Sequence, residues 1–338
     1  MAFCRKLYTR QKEFWHILYI FKELIMKKQV ALFLVVLMML GVSSAFAGCG
    51  PTGPRSREEI DGHTYTLNDD GETYSFCTLD PAFSGTELVI PQTITEAGYK
   101  VTAISYSAFR DNTTITKITL PQGITVIDGF ENCTALQSIN VPMGVTTIES
   151  AAFSGCTSLT SIILPESVTT IGRDAFAGCT ALQSINLPSG VTVIEEGTFA
   201  GCASLTELPM NSTVTTIKQA AFENCAKIQR FVLPSSLVEI GYGAFSGCTA
   251  LKEVSLPQGL TTMENGVFWS CPELKVLTIP GSVTSIGDIW DPLNLQTIHF
   301  GGTKEQWFEA SGTDEGSSRR FVIHCTDGSI EPTIVPVD

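Results

Sequence analysis

Apolar and polar positions recur along most of this chain with a period of 23 residues. Cysteine marks it most plainly: Cys133, Cys156, Cys179, Cys202, Cys225, Cys248 and Cys271 are each 23 apart. A phenylalanine stands three residues before each one, at Phe130, Phe153, Phe176, Phe199, Phe222, Phe245 and Phe268. Phe109 starts the series earlier, with Asn112 in the cysteine position and a spacing of 21 to Phe130. Three residues after the cysteine comes an aliphatic residue, as in Leu136, Leu159, Leu182, Leu205, Leu251 and Leu274. Alternating apolar pairs follow, among them Ile139/Val141, Ile162/Leu164, Ile185/Leu187, Phe231/Leu233 and Val254/Leu256. Proline usually comes next, then a V-x-x-I pair such as Val145/Ile148 or Val168/Ile171. The unit from Cys202 keeps the spacing but moves its proline to Pro209, leaving Met210 and Asn211 in the usual Leu-Pro slots.

A fixed period of this length predicts a solenoid. Each unit is too short to bury its own apolar residues, so stacked units must share one core. The alternating stretch predicts a half-buried strand. V-T-T-I predicts a second short strand, and the proline belongs at the turn between them because it cannot donate to a ladder. The A-F-x-x-C segment has room for one helical turn at most. Equivalent residues then lie about 4.8 Å apart in columns. The phenylalanines should stack, and the cysteines should be small buried groups with weak S–H donors. Asn112 fits that column if its amide satisfies loop carbonyls.

The pattern F-x-x-C-x-x-L-x-x-I-x-L-P-x-x-V-x-x-I resembles the bacterial BspA-like leucine-rich repeats, over roughly residues 85 to 325. Val89-Ile90-Pro91 with the stretch from Gly98 to Ile104 looks like the first coil of that family. The stretches from Phe300 to Trp307 and from Val322 to Gly328 look like its C-terminal ending. The resemblance implies a secreted or surface protein active in interaction and adhesion, and it supplies no catalytic residues.

The expected fold is therefore a mainly β leucine-rich-repeat solenoid with 23-residue coils over residues 96–300. An N-terminal β cap is expected over 60–95 and a C-terminal cap and tail over 301–338. Asn68-Asp-Asp-Gly71 is a hairpin turn signal within the first of these. Trp290, Trp307 and Phe308 are bulky enough to close the last coil.

Upstream of residue 60 the chain reads differently. Met26-Lys27-Lys28 precedes an apolar run from Val30 to Val42, then Ala45-Phe46-Ala47, which is the layout of a secretory signal over 26–48. Residues 1–25 fit no signal pattern and read as an upstream false start, with a long basic leader as the alternative. Phe46-Ala47-Gly48-Cys49 resembles a lipobox, so Cys49 is a candidate for lipidation, with simple cleavage after Ala47 or an uncleaved anchor as alternatives. Residues 49–59 would be a flexible tether.

Charge changes the picture once this leader is set aside. The whole chain carries −13, but residues 1–47 hold seven Lys/Arg and two Asp/Glu. The remainder has 14 basic and 32 acidic groups, a net charge of −18. Such a body should be repelled by nucleic acid and by anionic membranes. Membrane association is expected only through the lipid anchor or an uncleaved signal.

Chemistry is sparse. Seven cysteines in a row cannot all pair with neighbours, and their strict register suits packing, so free thiols are expected. A line of thiols does not supply the tetrahedral set that zinc needs. The histidines are His16, His63, His299 and His324, with no partner motif, and the acidic residues are scattered through turns such as Glu195-Glu196. No catalytic residue, cofactor or metal is expected.

The outward face of the first strand is the candidate site. One column there contains Lys117, Ser138, Ser161, Ser184, Glu207, Arg230, Glu253, Val276 and Thr297. The next contains Thr119, Asn140, Ile163, Asn186, Pro209, Val232, Ser255, Thr278 and His299. The other strand carries a Thr-rich ladder, including Thr146/Thr147 and Thr169/Thr170, which suits paired strands and reads as structural. The expected function is a non-catalytic extracellular or cell-surface scaffold binding a protein on a host or another cell. A glycan or cell-wall module would need aromatic platforms, which these columns lack. A spacer without a ligand is the third reading.

Overall fold

Each 23-residue unit has apolar residues on three sides and no long amphipathic run, so it must close into a flattened loop and stack on its neighbours. The computed structural model describes residues 57–94, 98–289, 294–314, 317 and 320–333. The upstream start, the signal segment, Cys49 and Trp290 lie outside the described residues. The repeats form the predicted solenoid of parallel coils. Strands such as Ser161–Ile162 and Ser184–Ile185 pair in parallel, Ser161 opposite Ser184. On a second side, strands such as Thr147–Ile148 and Thr170–Ile171 do the same.

Between these two sides the proline makes a tight turn. The N–H of Val168 donates to the carbonyl of Pro165 at 3.0 Å, and Val191 does the same to Pro188. The proline's missing donor costs nothing there, because the turn asks only for its carbonyl. The third side is a chain of turns. Within it Cys156 N–H donates to the Phe153 carbonyl at 3.0 Å, while Phe153 N–H reaches the next coil at Ala175 (2.8 Å). Two positions per coil are left-handed, for example Asp174 (φ 54°) and Gly178 (φ 70°). Gly, Asn and Asp tolerate that conformation best, which explains their recurrence at these positions, with Ser270, Ala151 and Ala220 as exceptions.

The phenylalanines form one continuous stack. Neighbouring ring centroids lie between 5.0 Å and 5.7 Å apart with planes within 14° of parallel, from Phe76 through Phe109 to Phe268. These rings are buried, each contributing about 2–3 kcal/mol of apolar burial. Phe231 inserts a tilted ring against Phe222 and Phe245, at 5.0 and 4.4 Å.

The thiols of the cysteine column are free and buried, and each makes the same bond. Cys156 Sγ donates to the carbonyl of Phe130 at 3.2 Å, Cys179 to Phe153 at 3.1 Å, and Cys202 to Phe176 at 3.2 Å. Asn112 behaves differently from the expectation. Its Oδ1 accepts from the N–H groups of Thr114 (3.0 Å) and Ile115 (2.8 Å), so it satisfies loop amides and not carbonyls. The cause is local: Asp111 is left-handed (φ 61°), and the asparagine closes an Asx turn after it.

Both ends depart from the expected boundaries. The tether stops short, because strand Arg57–Ile60 pairs antiparallel with His63–Leu67 along its whole length. That strand continues through Thr73–Thr78 to Tyr99–Ile104, so the N-terminal sheet runs past residue 95. Asn68–Gly71 makes the expected turn, with Gly71 N–H bonded to Asn68 O at 3.0 Å. At the other end, strand Val322–Cys325 pairs in parallel with Thr297–Phe300, adding a rung within residues 301–338. Between them lies the helix Lys304–Ser311, opened by a Thr303/Gln306 capping box. Its Trp307 is buried edge-on against Phe300 at 5.4 Å, and Phe308 is half-buried.

Candidate interaction face

In the first strand of each coil the buried residues are the I and the final apolar residue of L-x-x-I-x-L, as Ile162 and Leu164 show. The residues between them must point outward, since side chains alternate along a strand. The structure places Lys117, Ser138, Ser161, Ser184, Glu207, Arg230 and Glu253 at exposed positions of one column, with Val276 half-buried. The second column has Asn140, Ile163, Pro209, Val232, Ser255 and His299 exposed, and Thr119, Asn186 and Thr278 half-buried.

These residues are not equally available. Asn140 Nδ2 donates to Leu120 O at 3.1 Å and its Oδ1 accepts from Leu120 N–H at 2.7 Å. Asn186 makes the same pair of bonds to Leu164, both at 2.7 Å. Each asparagine stands in for a peptide group, extending the ladder where the strand has ended. Lys117 Nζ pairs with Glu87 Oε2 at 3.1 Å, and Arg230 pairs with Glu253 on the next coil. Such exposed pairs are worth at most about 1 kcal/mol and can exchange for a partner's charges.

Apolar exposure on the face is concentrated in the second column. Ile163 is 80% exposed and Val232 83%, and Val89 continues the column upstream at 68%. Ile163 and Val232 are three coils apart, roughly 14 Å along the axis. Between them the ladder lapses. Among the described residues no strand spans 206–211, where Pro209 interrupts the register.

The Thr-rich side presents a different surface. Its hydroxyls turn onto the backbone of the preceding coil, as Thr146 Oγ1 does to Thr125 O (3.4 Å) and Thr215 Oγ1 to Thr192 O (3.3 Å).

One face residue, His324, was not placed by the period. His299 lies opposite both Thr278 and His324, and the two imidazoles stack with centroids 5.3 Å apart. Glu253 sits in the other column, two strands away, opposite Val276. The signal that pointed to His324 is the likeness of Thr297-Ile-His-Phe to Val322-Ile-His-Cys, which breaks the 23-residue spacing and so escaped the repeat. Among the described residues no helix is long and apolar enough to cross a membrane.

The chain is similar to several known proteins. A leucine-rich repeat protein from Bacteroides ovatus is 28% identical with a TM-score of 0.59, over 72% of this chain and 70% of that one. A leucine rich cell surface protein from Faecalibacterium prausnitzii is 22% identical with a TM-score of 0.39, over 77% of this chain and 98% of that one. The pneumococcal vaccine antigen PcpA is 19% identical with a TM-score of 0.41, over 80% of this chain and 94% of that one. No curated protein matches the sequence. The BspA type leucine rich repeat region matches residues 80–191 and 169–290 in six copies, more than half of the chain. With its stacked phenylalanines, its cysteine column and its parallel 23-residue coils, the chain belongs to the BspA-type leucine-rich repeat family.

Proposed function

We propose that this protein is a non-catalytic, extracellular or cell-surface scaffold that binds another protein through the first-strand face. The observation that carries the reading is the exposure of Ile163 and Val232 on an otherwise regular polar ladder. Neither side chain supports the core, and each leaves most of its apolar surface in water. An apolar residue flanked by polar neighbours is a common anchor for a partner. The face is long enough: nine coils at about 4.8 Å span roughly 40 Å, which accommodates an interface of about 800 Å² per partner.

The test uses a triple variant, Ile163→Asp, Ser184→Arg and Val232→Asp, and leaves Asn186 alone because its amide holds the ladder. Wild type and variant are used to capture proteins from extracellular host fractions. We expect at least one captured protein to be lost in the variant, with thermal stability nearly unchanged. Equal capture by both, or loss only after changing Thr146 and Thr169, would place binding elsewhere.

A glycan-binding reading has one specific support, away from this face. On the turn side, Tyr242 is 41% exposed and meets Trp269 edge-to-face at 5.6 Å. Such a corner of two aromatic rings suits the apolar face of a sugar. Binding on a glycan array that disappears in Tyr242→Ala, with protein capture unaffected, would favour this second reading.

A further inference from the structure

The imidazoles of His299 and His324 come from adjacent parallel strands and are directly opposed. Both residues are exposed. His324 Nδ1 lies 2.8 Å from Ser329 Oγ, supplied by the antiparallel strand Gly328–Ile330. In the tautomer with Nδ1–H donating to that hydroxyl, the lone pair is on Nε2 and the ring is held in place. The His299 side chain makes no hydrogen bond among the described residues, so nothing but the stack holds its ring.

We propose that His299 and His324 form a surface site for a late first-row divalent metal ion, bound through both Nε2 atoms with solvent completing the coordination. The spacing fits. With metal–nitrogen bonds of about 2.0–2.1 Å and a ring radius of about 1.1 Å, two imidazoles on one metal have centroids about 4.5 Å apart at a right angle and about 5.1 Å apart at the tetrahedral angle. The observed separation is 5.3 Å with ring planes 22° apart. In the observed stack the two lone pairs run side by side, so His299 must swing out of it about its side-chain torsions for both Nε2 atoms to face one ion, a change its exposed position allows. Imidazole nitrogen suits Zn2+, Ni2+ and Cu2+ better than the hard cations. Ser329 then acts as the outer partner that fixes the tautomer and orientation of a ligating histidine. Among the described residues no cluster of three or more metal-ligating side chains exists, so the site has two protein ligands and positions open to solvent. This inference stands apart from the protein-binding reading and needs no partner.

The experiment is calorimetric titration of the full chain, carrying a tag without histidine, with ZnCl2 and separately with NiCl2. Saturable binding of one ion per chain is expected. His299→Gln and His324→Gln should each weaken it more than tenfold, and Ser329→Ala by about tenfold. Cys325→Ser should leave it unchanged. A second readout needs no variant: in ring-proton NMR of the wild type, zinc should move the resonances of two imidazoles and spare His63. His63 is buried and its Nδ1 accepts from Asp80 N–H at 3.0 Å, so it serves as an internal control. Absence of saturable binding, equal affinity in the His299→Gln/His324→Gln double variant, or loss on Cys325→Ser instead, would each overturn the proposal.

Discussion

The thiol of Cys179 donates to the carbonyl of Phe153, 26 residues earlier, at 3.1 Å. That bond explains why the repeat needs cysteine specifically. The carbonyl of Phe153 already accepts the N–H of Cys156, and the thiol of the next coil adds a second, small donor at a buried position. A thiol fills the volume, carries a weak donor and costs little to bury.

Replacing Cys179 by Ala removes both the packing and the donor. The expected loss is about 1–2 kcal/mol, read as a shift in the urea midpoint at unchanged slope. Thiol reagents should react slowly with Cys156, Cys179, Cys202 and Cys225 in the folded protein and fully after denaturation. If unreduced, denatured protein had no titratable thiols, the column would be oxidised.

Burial also pushes the Cys179 thiol up from its ordinary 9.0 to about 12, and drives Cys202, Cys225 and Cys248 upward for the same reason. A raised folded value means the folded state keeps its proton after the unfolded chain has lost it. Stability from this source is intact below pH 9 and falls as pH rises toward 12. Denaturation followed from pH 8 to pH 11 should show that decline, and Cys179→Ala should flatten part of it.

Ala220 occupies a left-handed position (φ 52°) that glycine fills in other coils, as Gly197 and Gly243 do. Ala220→Gly should therefore stabilise the protein by about 0.5–1 kcal/mol, the relief of backbone strain exceeding glycine's extra freedom in the unfolded chain. Gly178→Ala is the converse. An added Cβ there would meet only ordinary contacts, with Gly155 atoms at 3.7 and 3.8 Å. Its cost of about 1 kcal/mol would be purely conformational. Thermal melts of the pair, moving in opposite directions, check both.

Ser184 and Asn186 look alike in the sequence, two polar residues on one outward face. Asn186→Ala should nevertheless cost about 1–2 kcal/mol, because the N–H and carbonyl of Leu164 lose their partners. Ser184→Ala should change stability by less than about 0.5 kcal/mol. Equal melting temperatures for the two variants would show that water replaces the asparagine without loss.

Phe199→Ala would open a gap between Phe176 and Phe222, with an expected loss of about 3–5 kcal/mol. Because coils touch only their neighbours, the damage should be local. Hydrogen exchange should rise most in coils around 176–222 and least near Phe109.

The solenoid, its 23-residue coils, the two strands per coil and the outward columns were legible before any coordinates, because every one of them is a nearest-neighbour property. A repeat tells each residue what lies above and below it. Phe153 and Phe176 had to stack once the period was known. Where the period fails, the sequence is silent about contacts. Phe76 continues the stack onto Phe109, yet it lies in the N-terminal sheet, and only the pairing of Thr73–Thr78 with Tyr99–Ile104 brings it there. His324 reaches His299 because the chain passes through the helix Lys304–Ser311 before returning to the ladder, a path no column predicts. Asn140 and Asn186 were placed on the outward face, and Asn112 in the cysteine column, but what their amides bind depends on where the nearest backbone groups stop being paired. Patterns of hydrophobicity decide which way a side chain points. Whether a polar one is then free or committed is settled by distances of a few tenths of an ångström, which only the folded backbone sets.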